Sequence, residues 1–209
     1  ISGSTIVFAA ALTTDDSIDF ITVLGDTLDL GTPSDGTVVP ASMGTTAVTA
    51  LTAGTGITNG TGTVYRSDVQ KLGNIYHTRI LIDLTGLASS GSGDIIGKAG
   101  TASSHIGQIT AAINGTVLGG KITCFEAPAG GDPDINLWYA DEATGAEDAA
   151  ITSLTNQVQM CDSGDFAIGT VVGIPTPPAA DKYLYMVTGA ATNADYTAGK
   201  LLIELFGYV

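Results

Sequence analysis

The sequence runs to 209 residues, of which 44% are hydrophobic and only 13% charged, with 28 glycines and a formal net charge of −14. Seven Lys and Arg set against 21 Asp and Glu repel a phosphate backbone instead of releasing its counterions, which argues against nucleic acid as a direct partner and, for the same reason, against an anionic membrane surface. No apolar run approaches the roughly 20 residues that span a bilayer, while the wealth of Gly, Thr and Val suits extended strands joined by tight turns.

The first predicted element is a strand from Ser4 to Leu12, in which Ile6, Val7, Phe8 and Leu12 supply the apolar positions. No positive residue precedes it, so it lacks the build of a secretory leader. No Lys or Arg occurs before Arg66, whereas Asp15, Asp16, Asp19, Asp26, Asp29 and Asp35 do. From Gly36 to Thr63 the text becomes a repetitive run of Gly, Thr, Ala and Val, too apolar for a solvated linker. This composition predicts an extended N-terminal arm with short strands over residues 1–62, lying against its own domain or a neighbouring chain, and a β-sandwich domain over residues 63–209. Ile6, Val7, Phe8 and Leu12 are the arm's candidate contact residues.

After the boundary a period of two takes over. Tyr76, Thr78, Ile80, Ile82 and Leu84 alternate with His77, Arg79, Leu81 and Asp83, the pattern of a strand buried on at least one face. Lys121 to Ala127, Ile135 to Ala140, Lys182 to Thr188 and Lys200 to Tyr208 give further strands. Gly91-Ser92-Gly93, Asn114-Gly115, Gly130-Gly131-Asp132-Pro133 and Gly173 to Ala180 are the breakers, with Asn-Gly favoured in two-residue hairpins. Glu147 to Met160 competes as a helix, since Ile151, Leu154 and Val158 share a face, but Thr152, Ser153, Thr155 and Asn156 limit it to a short one. The class this predicts is all-β, an antiparallel sandwich.

Between Lys121 and Lys182 no basic residue occurs while acidic ones accumulate, the composition of a solvated loop surface. Within that block Asp132 and Asp134 flank Pro133 and are the candidate ligands for calcium, which takes carboxylate and carbonyl oxygens; the EF-hand's glycine and terminal glutamate are missing. Trp138 and Tyr139 are adjacent on one strand and so point to opposite faces, which makes them candidate interface anchors. Cys124 and Cys161 are too few for a zinc knuckle or a disulfide framework, and a single bridge stays open.

A catalytic constellation is harder to find. His77 and His105 are the only histidines, and no Gly-x-Ser-x-Gly elbow accompanies either. Gly97-Lys98 precedes Ala99 and Gly120-Lys121 precedes Ile122, so no phosphate loop forms. The expectation is a protein without an active site or cofactor, working by contact.

Four stretches carry a family likeness: Ile80 to Leu87, Asp94 to Gly97, Glu126 to Ile135, and Tyr196 to Glu204. From about Lys71 onwards the chain resembles the β-rich decoration, or cement, proteins of tailed bacteriophages, particularly those of marine bacteria. The resemblance covers about two thirds of the chain and leaves the first 62 residues unmatched. It implies a jelly-roll sandwich carried as homotrimers on the outer surface of a capsid, with the major capsid protein as partner and the virion as location. The alternative expectation is a carbohydrate-binding or adhesin head, with Trp138, Tyr139 and the acidic loops forming its site, because jelly-roll sandwiches also host lectins.

Overall fold

In the computed structural model the described residues are 48–60 and 62–209, together with Thr14. They form antiparallel sheets joined by loops, two single α-helical turns and a 3-10 turn. The six-stranded sheet takes β1 (Val48–Thr49), β2 (Val64–Leu72), β3 (Ile75–Asp83), β6 (Thr116–Ala129), β9 (Val171–Ile174) and β12 (Ala198–Tyr208), in the order β1-β2-β3-β12-β6-β9. The four-stranded sheet takes β5 (Gly107–Ile109), β7 (Ile135–Ala140), β8 (Val158–Cys161) and β10 (Lys182–Thr188), in the order β5-β10-β7-β8. A two-stranded ribbon pairs β4 (Ala88–Ser89) with β11 (Ala194–Asp195).

The pairing is nested. Among the strands of the two larger sheets that follow β2, β3 pairs with β12, β5 with β10, β6 with β9, and β7 with β8. Successive pairs fall in alternate sheets, so the chain crosses repeatedly from one sheet to the other and both contribute to one core. Ile80, Ile82, Ile122, Leu201, Ile203 and Leu205 enter it from the six-stranded sheet, and Ile109, Leu137, Met160, Leu184 and Met186 from the four-stranded one. The alternation legible in the sequence becomes burial directly: Tyr76, Thr78, Ile80 and Ile82 are buried and the residues between them are not. Two sheets sharing one core in this way make a sandwich, with side chains of both inner faces contributing to it.

Residues 48–60, assigned by composition to an arm, belong to this core. β1 pairs with Val69 and Gln70 of β2, and α1 (Thr55–Thr58) buries Ile57 completely while Leu51 packs beside it. The Leu51 N–H donates to Ser67 Oγ at 2.8 Å, and the Gly54 N–H to the His105 carbonyl at 2.6 Å. Small residues permit that close approach, and composition, which excludes a solvated linker, does not say whether the segment lies against its own domain or a neighbouring chain. The boundary near residue 62 therefore falls inside a packed unit.

One further expectation is corrected. Asn114-Gly115 does not form a hairpin turn; it closes α2 (Ala111–Asn114). Gly115 sits at φ 66°, where an added Cβ would lie 2.9 Å from both the Tyr208 carbonyl oxygen and the Tyr76 ring. Asn114 is buried and satisfied, its amide donating to Thr78 Oγ1 and its oxygen accepting from the Thr110 N–H, both at 2.9 Å. The short helix expected over 147–160 is a three-residue 3-10 turn at Ile151–Ser153, which places Ile151 and Leu154 in a second apolar cluster with Ile95, Ala140, Tyr185 and Val187. That cluster covers the outer side of the four-stranded sheet.

Candidate functional site

The residues singled out in the sequence are dispersed. Ile6, Val7, Phe8 and Leu12 lie outside the described residues. Trp138 and Tyr139 do point to opposite faces of β7, Tyr139 towards the main core and Trp138 into the second cluster, and both are half-buried. The loops carrying Ile95 and Ile151 to Leu154 fold over Trp138, helped by Tyr185, whose hydroxyl donates to the Glu142 carbonyl at 2.6 Å and accepts the Gly145 N–H at 3.1 Å. Burial pushes the Tyr185 hydroxyl up to about 12.

Asp132 is buried, and its carboxylate is occupied by its own loop and the loop before β11, accepting the Asp134 N–H at 2.9 Å and the Thr192 N–H at 3.1 Å. Its carbonyl accepts the Tyr196 hydroxyl at 2.8 Å, with the Tyr196 ring against Gly131. Asp134 has one carboxylate oxygen buried without a partner among the described residues, and its carboxyl is raised by burial and by Asp162, Asp132 and Asp165. No group of three or more His, Cys, Asp or Glu suited to hold a metal ion comes together among the described residues. The donor set at Asp132 and Asp134 is that of a loop brace rather than a calcium cage.

Cys124 and Cys161 are separate buried thiols, both raised by burial, the opposite of an activated nucleophile. His77 lies 3.0 Å from Glu204 Oε1 and stacks on Phe206 at 4.9 Å. His105, lowered by burial, meets Tyr183 edge-on at 5.1 Å beside a cavity of about 190 Å³ lined by Leu51, Thr52, Gln108 and Thr110. Each histidine is held by an aromatic neighbour.

What the strands do assemble is a face. On the outer side of the six-stranded sheet the register aligns side chains of β2, β3, β12 and β6 in cross-strand rows. From one end these are Val64-Asp83-Lys200-Glu126, then Arg66-Leu81-Leu202-Thr123, Asp68-Arg79-Glu204-Lys121, Gln70-His77-Phe206-Gly119, and Leu72-Ile75-Tyr208-Thr116. Cross-strand neighbours at about 5 Å interact, so opposite charges placed side by side hold one another. Arg79 Nε donates to Asp68 at 2.9 Å, Lys121 lies 3.0 Å from Glu204, and Lys200 bridges Asp83 at 3.5 Å and Glu126. Although burial pushes the Glu204 carboxyl up, Lys121 and His77 hold it below its ordinary value. Asp83 is likewise depressed, against its burial, by Thr85 and Lys200.

Four of the seven basic residues, Arg66, Arg79, Lys121 and Lys200, stand on this face opposite four acidic ones, Asp68, Asp83, Glu126 and Glu204. The face is formally neutral on a chain of −14. It also carries apolar groups in two places. An open groove of about 400 Å³ runs between Arg66, Arg79, Leu81, Phe125 and Leu202. At the far end Leu72 is 69% exposed, Leu118 67%, Ile75 55% and Tyr208 53%. Register shifts in β6 leave Leu118 and Phe125 as extra residues opposite β12, and such bulges re-aim side chains, here outwards. Large apolar groups gathered on one face mark a contact surface far more often than scattered ones do.

Sequence reasoning missed this face. Its signal was the second half of each alternating pattern: Leu81, Leu202, Phe206 and Tyr208 occupy positions where a solvated strand carries polar residues. Compared with known proteins, the chain matches no family model, no curated protein and no solved structure. No described helix is long and apolar enough to cross a membrane.

Proposed function

We propose that this chain is a virion structural protein that packs on the outer surface of a phage capsid and stabilises the coat lattice, with the major capsid protein as partner and a homotrimer as its unit on the shell. The observation that carries the reading is the formally neutral, partly apolar face of the six-stranded sheet, a surface suited to protein contact on a chain otherwise dominated by negative charge. The likeness of four sequence stretches to decoration proteins supplies the context. The finer fold is read in the same way: β3, β5, β6, β7, β8, β9, β10 and β12 pair first with last inwards and alternate between sheets, the wrap of a jelly roll.

Contact, not chemistry, is the mechanism on this reading. Apolar burial contributes about 25 cal/mol per Å² at most, so affinity at one site is limited, while many equivalent sites on a closed shell add avidity. The carbohydrate-head alternative needs Trp138 as an open platform, and its packing under the 141–154 loops gives that reading no support.

The test is co-sedimentation of the full chain with purified shells lacking it, followed by heating of the loaded shells. Saturable binding at a fixed ratio to coat subunits, with a raised shell melting temperature, is the expected result. Absence of saturable binding, or loaded shells that melt with the unloaded ones, overturns the proposal.

A further inference from the structure

The cross-strand rows of the bare face, which pair charges within the chain, also have a symmetry about the strand direction. The middle row reads negative, positive, negative, positive as Asp68, Arg79, Glu204 and Lys121. Turned end for end, that order is its own complement. A two-fold axis running along the strands, between β3 and β12, sets Asp68 against Lys121 and Arg79 against Glu204 of a second copy. In the remaining rows the central β3 and β12 positions obey the same operation, while at the flanks Glu126 meets Val64 and Arg66 meets Thr123. Leu81 meets Leu202, Asp83 meets Lys200, His77 meets Phe206, and Ile75 meets Tyr208. A two-fold axis along the middle row would instead put each of its charges on its own copy, like against like, which is costly at close range.

We infer that the outer face of the six-stranded sheet is an isologous interface that binds a second copy of this chain face to face, with β3 of each copy over β12 of the other. Three observations carry it. The charge order is self-complementary about one axis, as a two-fold contact requires of a single patch. The face is neutral, so two chains of −14 can approach there without the repulsion that the rest of the sequence imposes. Its size is adequate: four strands spaced about 4.8 Å apart and nine residues at about 3.4 Å give roughly 600 Å² in plan, near the ~800 Å² per partner of a standard interface before side-chain relief is added. Sheets packed face to face in this way lie within about 30° of alignment, which keeps the central pairs in register.

The inference rests on the reading of this face as a contact surface. An isologous contact closes on two copies, so it is additional to any three-fold contact and would tie neighbouring units together on a shell. Its test needs no shell, so its failure and a failure to bind shells are separate results.

The experiment is sedimentation velocity of the full chain from roughly 1 µM to roughly 100 µM, with Ile75→Asp, Tyr208→Lys and their equimolar mixture. Both positions are more than half exposed, so far-UV circular dichroism and thermal melts should match the parent chain. The parent chain is expected to double in mass across the range. Each variant alone sets two buried, unpaired charges in the contact and should associate at least tenfold more weakly. The mixture sets the carboxylate introduced by Ile75→Asp in one chain against the ammonium introduced by Tyr208→Lys in the other. It also keeps one Tyr208–Ile75 contact, so it should recover a heterodimer tighter than either variant alone. A parent chain that stays monomeric, oligomers that survive both substitutions as contacts through residues 1–47 would, or a mixture no tighter than its components overturns the inference.

Discussion

The two sheets show opposite treatments of an outer face. The four-stranded sheet is roofed by its own loops: Ile95, Ile151 and Leu154 close over Tyr185, Val187 and Trp138, and the acidic residues of that region lie in the connecting segments. No described segment roofs the six-stranded sheet beyond its ion pairs, although Leu81, Leu202, Phe206 and Tyr208 give it as much apolar material. An aromatic under a roof holds the fold together. An aromatic on a bare face is available to something else.

Substitutions should separate the two faces by stability. Tyr185→Ala removes a fully buried ring and both of its hydrogen bonds, and should cost about 3–5 kcal/mol in urea unfolding; Phe206→Ala on the bare face should stay within about 0.5 kcal/mol. Comparable losses at the two sites would erase the distinction. Next in size is Ile57→Ala, expected to cost about 2–5 kcal/mol because its side chain is wholly inside the main core. A loss below about 0.5 kcal/mol there would return residues 48–60 to the arm.

Two carboxylates sharpen the contrast through pH. Glu204 is depressed in the folded chain, so its contribution is present above its ordinary value of 4.5 and lost as pH falls through the folded value. Glu204→Gln should therefore lower the melting temperature at neutral pH by about 2–4 °C, for a loss of about 1 kcal/mol, and the difference should close in acid. Asp134 is raised, so its ionisation opposes folding and stability falls as pH rises from its ordinary 3.8 through the folded value. Asp134→Asn should melt slightly above the parent at neutral pH and level with it in acid. Melting curves from about pH 7 to about pH 3 follow both effects, and two variants shifting in the same direction at neutral pH would contradict the assignment.

The strands were legible because their signal is local. Period-two runs such as Tyr76 to Leu84 and Lys200 to Tyr208 need only neighbouring residues to declare a buried side, and all five such runs are strands. The contact face was not legible, because exposure depends on which loops fold over which sheet. Trp138 and Phe206 look alike in sequence, each an aromatic in an apolar strand; the paths of the loops carrying Ile95, Ile151 and Leu154 distinguish them. Bulges blurred β6 further, since Leu118 and Phe125 each interrupt the alternation that would have declared them outward-facing. Residues 48–60 misled for a different reason. Gly54 and Gly56 permit contact within the core, but a run of small residues suits packing against a neighbouring chain equally well, so composition leaves the two open.

Hydroxyl-radical footprinting of the dilute full chain against the native assembly tests the central claim most directly, because it reports the exposure of individual side chains. Ile75, Phe206 and Tyr208 should become protected on assembly while Ile168, exposed in the loop before β9, keeps its reactivity. Unchanged labelling of Ile75, Phe206 and Tyr208 in an assembly that protects other surfaces would contradict it.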